Sequence, residues 1–145
     1  MAATAWSFYS SFKVAMADGT HDLDANEFRI TLHTSAASAN VMNNELSTFA
    51  SIANEVASGN GYSTSGFTLV TRSWISAATG VVKFDAGDPS WTAAGGTIAD
   101  IKYAVISTGS HVVCHSTLSS NQFTLADGSS LTVQFAASGI FELSG

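Results

Sequence analysis

The chain predicts an all-β fold: a single antiparallel β-sandwich domain, jelly-roll-like, over residues 1–145, with a short N-terminal helix or arm over 1–18. Three observations carry this. From Phe28 onward the apolar residues recur with period two rather than 3.6. The apolar runs are short and separated by Gly and Asp turns, at Gly66, Gly87, Gly95-Gly96, Gly109 and Asp127-Gly128. Residues 80–97 read as a strand (Val81-Val82-Lys83-Phe84-Asp85), a turn around Asp88-Pro89, and an aromatic anchor at Trp91 before Gly95-Gly96.

Taken in order, residues 5–17 place Phe8, Phe12 and Ala15 at i, i+4, i+7, with Tyr9, Lys13 and Met16 on a neighbouring stripe. That spacing predicts a helix ended by Asp18-Gly19, with a strand as the competing reading. Residues 28–33 predict a half-buried strand, Phe28, Ile30 and Leu32 facing the core and Arg29, Thr31 and His33 facing away. Residues 35–40 predict a loop, 44–53 a short helix or turn, and Gly59-Asn60-Gly61 a tight turn. Strands are then expected over 67–75, 80–85, 98–106, 111–117, 122–125, 131–136 and 139–143.

Composition narrows the function classes. Charged residues are 11% of the chain, against about 25% in an ordinary soluble domain. Ser, Thr, Ala and Gly together supply 71 of 145 residues. A surface of short side chains loses little rotamer entropy on contact, which suits a protein with permanent neighbours. The net charge is −6, and the five basic residues, at 13, 29, 72, 83 and 102, are scattered, so no direct nucleic-acid partner is expected. One cysteine, Cys114, excludes an internal disulfide framework. No run approaches the ~20 apolar residues of a membrane helix. The first residues carry no basic segment followed by an apolar one, so no Sec export and no membrane partner are expected.

The search for chemistry finds architecture. His111, Cys114 and His115 look like metal ligands, but on a strand the two histidines lie ~13 Å apart and Cys114 faces away from His115. A buried thiol beside exposed imidazoles is the expected arrangement. Asp22-Leu23-Asp24-Ala25-Asn26 imitates the start of a calcium loop, yet Glu27 and His33 occupy the positions where that loop needs glycine and glutamate. A turn is expected there instead. Asp85 and Asp88 flank a turn, where aspartate is a structural residue, rather than forming a carboxylate pair. No Gly-x-Ser-x-Gly elbow and no phosphate loop occur. No enzymatic activity, cofactor or metal is expected. Of the tryptophans, Trp91 reads as a core anchor and Trp74 stands in a partly polar strand. Trp6 is the one placed to face a partner.

An ordered series of segments resembles a family of small virion structural proteins of tailed bacteriophages. The segments are Phe12-Lys13-Val14-Ala15, Gly19-Thr20-His21-Asp22-Leu23, Phe28-Arg29-Ile30-Thr31-Leu32 and Asn54-Glu55-Val56 with Gly59-Asn60-Gly61-Tyr62. They continue with Phe84-Asp85, Asp88, Trp91-Thr92-Ala93-Ala94-Gly95-Gly96-Thr97-Ile98, Tyr103-Ala104-Val105-Ile106, and Phe135 with Gly139-Ile140-Phe141-Glu142-Leu143. Where the family often has a second glycine after Tyr62, this chain has Ser65-Gly66-Phe67. The resemblance implies a non-enzymatic β-sandwich that decorates and stabilises the capsid. Its partner would be the major capsid protein, its state a homotrimer, and its place the capsid surface of a virion assembled in the host cytoplasm. Trp6, Phe8 and Tyr9 are the expected interface residues, and removal of residues 1–10 is expected to leave the β-domain folded. The alternative is a receptor- or glycan-binding module of a tail tip or fibre.

Overall fold

The computed structural model describes residues 5–145. Residues 1–4, the start of the expected arm and of the segment read as lacking an export signal, lie outside the described residues. The strands are β1 (Ser7–Phe8), β2 (Phe28–His33), β3 (Phe67–Thr68), β4 (Ser73–Ala78), β5 (Val81–Asp85) and β6 (Ser90–Thr92). They continue with β7 (Ile98–Ile101), β8 (Tyr103–Thr108), β9 (His111–Thr117), β10 (Phe123–Leu125), β11 (Ser130–Thr132) and β12 (Phe141–Ser144). Helices α1 (Ser10–Ala17) and α2 (Ser38–Val41) are short. The fold is all-β and sandwich-like, as the period-two pattern predicts.

The centre is a five-stranded antiparallel sheet in the order β1-β9-β8-β2-β3. β2 and β8 pair over six residues, from Phe28 opposite Thr108 to His33 opposite Tyr103. One face of this sheet carries Phe28, Ile30, Leu32, Ala104 and Ile106. It packs against Phe84 of β5, Trp91 of β6, Ile98 of β7, Leu125 of β10 and Leu131 of β11. The opposite face carries Tyr103, Val105 and Val112 and packs against Ala37, Val41 and Ile52. The smaller sheets are β12-β5-β4, β11-β6 and β10-β7.

β2 therefore differs from the half-buried strand expected. Thr31 and His33, placed toward solvent by the sequence pattern, are 1% and 0% exposed. The cause is the segment 35–53, expected partly as a loop. It forms a 3-10 turn at Ser35–Ala37, the one-turn helix α2, and a second 3-10 turn at Phe49–Ser51. Together these roof the sheet. Burial of polar side chains requires partners. His33 Nδ1 lies 3.3 Å from the Ala53 carbonyl and Nε2 lies 2.9 Å from the Thr31 hydroxyl, which in turn reaches the Val105 carbonyl at 3.3 Å. Burial holds the imidazole down at about 4, against an ordinary 6.5.

Several continuous apolar runs are broken where the chain changes sheet. The run 67–75 divides at Thr71, at φ 53°, so that β3 joins β2 while β4 joins β5. The run 98–106 divides at Lys102, whose N–H donates to the His33 carbonyl at 2.9 Å, leaving β7 with β10 and β8 in the central sheet. The expected strands 131–136 and 139–143 shorten to β11 and shift to β12, because Val133 N–H turns to Pro89 and residues 136–139 close a turn. In β9 an extra residue, Val113, interrupts the pairing with β8, so Val113 and Cys114 both face the larger core.

The Gly59-Asn60-Gly61 turn forms as expected, with Gly59 and Tyr62 exchanging both backbone bonds at 2.8 and 3.0 Å. It delivers Tyr62 to a gap in the sheet. β3 pairs with β2 only at Arg29 and Ile30, and the Leu32 N–H beyond it donates to the Tyr62 hydroxyl at 3.0 Å. That hydroxyl donates in turn to Glu55 Oε1 at 2.7 Å. Gly66 completes the approach; a Cβ there would collide with the Ile30 carbonyl oxygen.

Two outcomes are expected. Tyr62→Phe strands the Leu32 N–H and lowers stability by about 1–3 kcal/mol in denaturant unfolding. On acidification the unfolded chain takes up the His33 proton first. Stability attributable to His33 is therefore complete above pH 6.5 and drains as pH falls toward 4, by on the order of 3 kcal/mol in total. Urea midpoints that stay flat across that window would show that His33 is not buried neutral.

Candidate functional site

The helix expected over 5–17 begins only at Ser10. Phe8, assigned to its apolar stripe, lies instead in β1 and pairs with Cys114 at the edge of the central sheet. Tyr9 follows β1 in extended conformation and caps the start of α1. The three expected interface residues thus fall into two groups. Tyr9 is 0% exposed and is part of the smaller core, a correction to its expected role. Its hydroxyl donates to the Val41 carbonyl at 2.8 Å, and burial raises its pKa well above the ordinary value. Trp6 and Phe8 are half-buried and line a surface groove.

The groove runs between the N-terminal segment and the C-terminal strand. α1 buries Phe12 and leaves Val14 in solvent. β12 is the edge strand of its sheet, and Phe141 and Leu143 share its face toward α1. Phe141 is the junction of the aromatic contacts. Its ring lies 5.1 Å from Phe8, 6.2 Å from Phe12, 5.7 Å from Trp74 and 5.7 Å from Phe84. Trp6 continues the line, 5.7 Å from Phe135. Three adjoining hollows result, of about 350, 280 and 530 Å³. The middle one has an apolar floor of Phe8, Phe12, Met16 and Phe141, with Lys13 and Glu142 at its rim. Such a surface carries no acid–base or nucleophilic group on its floor. It can take up apolar side chains, and Leu143, 45% exposed, offers one in return.

The remaining sequence candidates take the structural roles expected of them, with one exception. Asp22 Oδ1 accepts from the Asp24 and Ala25 N–H groups, making the turn predicted in place of a calcium loop. Asp85 Oδ1 accepts from Ala86 and Asp88 Oδ1 from Phe135, both at turns. Cys114 is buried, and its thiol is pushed well above the ordinary value. The exception is His115, expected exposed. It is buried beside Tyr9, bonded to Asn44 Oδ1 at 2.9 Å, and burial lowers its pKa. Among the described residues no group of three or more His, Cys, Asp or Glu stands where it could hold a metal ion. None of the described helices is long and apolar enough to cross a membrane.

Comparison with protein-family models, with curated proteins and with solved structures returned no match.

Sequence reasoning found the N-terminal half of the groove but missed Phe141 and Leu143. The signal was present: Phe141-Glu142-Leu143 alternates apolar with charged, which gives the strand one apolar face to cover. A second feature it missed is an open cleft of about 570 Å³ beyond α1, where His21 and His111 meet with ring centroids 5.1 Å apart.

Because Tyr9 and Phe8 are packed in place, removal of residues 1–10 is expected to destabilise the β-domain rather than leave it unaffected. Removing them strips a strand from the sheet edge and a ring from the core. Phe141→Ala is expected to cost about 2–4 kcal/mol, read by thermal or denaturant unfolding. Trp6→Ala, half-buried at the groove rim against Phe135, is expected to lower the unfolding midpoint less than Phe141→Ala does.

Proposed function

We propose that this chain is a non-enzymatic structural protein of a tailed-phage virion, which decorates and stabilises the capsid by binding the major capsid protein as a homotrimer. The observation that carries the proposal is the ordered series of segments, from Phe12 to Leu143, resembling that family of virion proteins. The all-β sandwich-like fold is the one the resemblance implies. Composition agrees, since a surface of short polar and apolar residues suits lasting contact more than transient charge-steered encounter.

The groove between α1 and β12 is the contact surface in this proposal. Trp6 and Leu143 would enter the partner, while Phe8 and Phe141 form the wall behind them. Aromatic anchors at a desolvated centre carry most of the energy of such contacts. One small patch binds weakly, but three held together by trimerisation reinforce one another through effective concentration.

The test is quantitative protein analysis of purified particles, followed by rebinding of added chain to particles stripped of it. A copy number comparable to that of the major capsid protein is expected, and Trp6→Ala combined with Leu143→Ser should lower occupancy about tenfold or more while the chain stays folded. A handful of copies located at the tail would overturn the capsid role in favour of a tail-tip or fibre module binding a receptor or glycan. Full occupancy by the double variant would remove the groove from the contact.

A further inference from the structure

We propose that the cleft between the α1–β2 loop and the start of β9 is a binding site for a divalent transition-metal ion, with His21 and His111 as its two protein ligands. Two imidazoles bound to one tetrahedral ion at metal–nitrogen distances of about 2.0–2.1 Å place their ring centroids roughly 5 Å apart. The observed separation is 5.1 Å, with the ring planes crossed at 67°. The ring contacts of this pair are with each other and, for His21, with Phe12 at 5.9 Å; neither imidazole makes a hydrogen bond among the described residues. Both residues line one opening.

Both histidines stand on ordered backbone. The His21 N–H donates to the Ala15 carbonyl at 3.1 Å, tying the loop to the end of α1. His111 is opposite Thr108 in the β8–β9 pair and bridges to Thr48 on the other side. Ligands held by two such anchors lose little freedom on binding. The cleft is about 570 Å³ and open, so water can complete the coordination shell. Glu27 and Arg29 line the same cleft and pair with each other at 3.4 Å, so the two imidazoles are the protein donors of the site.

The donor set selects the ion. Paired imidazoles suit zinc, nickel and copper, whereas calcium and magnesium require oxygen cages. With two protein ligands the site is open and reversible, unlike a closed structural zinc site. Its position also matters, since His21 lines the neighbouring hollow that contains Trp74 and Leu143.

The test is titration of the untagged chain with Zn²⁺ and, separately, Cu²⁺, by calorimetry and by NMR of the histidine ring protons. One ion per chain is expected, tighter for Cu²⁺ than Zn²⁺, with the His21 and His111 resonances responding and those of His33 and His115 unmoved. His111 is exposed, so His111→Ala leaves the fold intact; it should weaken binding about tenfold or more, the scale that loss of a mere supporting contact to a ligand already reaches. Absence of saturable binding, undiminished binding in His111→Ala, or a response centred on His33 or His115 would each overturn the site.

Discussion

The rest of the structure depends on the burial of one sheet on both faces. A sheet with a wet face can alternate polar and apolar residues and leave the polar ones to solvent. β2, β8 and β9 have no such face at their centre, so each polar group on them needs a partner supplied from elsewhere. The partners come from segments that look irregular. His33 is matched by Thr31 and by the carbonyl of Ala53. His115 is matched by Asn44, Tyr103 by Ser38, and Thr108 by the Glu27 carbonyl. The Leu32 N–H is matched by Tyr62. The segment 35–53 and the Tyr62 turn are thus as necessary to the sheet as its own ladder.

That constraint explains what could be read from the sequence. The strands β2, β5 and β9 were visible because each lies within one sheet and is bounded by turn residues. The runs 67–75 and 98–106 were not divisible by pattern, because both halves of each are apolar; what separates them is the point at which the chain leaves one sheet for another, at Thr71 and Lys102. The roof over β2 was hidden for a different reason. Ser35-Ala36-Ala37-Ser38-Ala39-Asn40 has the composition of a loop, and only the presence of a dry sheet beneath it makes Ala37 and Val41 core residues. His33 and His115, which alternation turns outward, are buried by the same logic. Turn chemistry was the most readable level, since Asp22, Asp85, Asp88 and Gly59-Asn60-Gly61 do locally what their types favour.

The candidate surface shows the complementary limit. Trp6 and Phe8 were legible as interface candidates by their aromatic type, but Tyr9 beside them is indistinguishable by type and is fully buried. One residue of rotation along β1 separates a surface ring from a core ring. The groove exists because Phe141 from the far end of the chain fills the space between Phe8, Phe12 and Trp74, a coincidence in space without local trace. The same holds for His21 and His111, which no spacing rule connects.

The meeting of Phe8 with Phe141 also sets an order of assembly. β1 and α1 precede β12 by more than a hundred residues, so the groove joins segments far apart in the sequence. Contacts of that kind close late, after the loop entropy between them has been overcome. During synthesis Phe8 and Phe12 have no wall to lean on until β12 has left the ribosome. A chain cut short before Phe141 can form its central ladder and still lack the surface altogether. The fold thereby withholds this apolar groove from every copy that lacks β12.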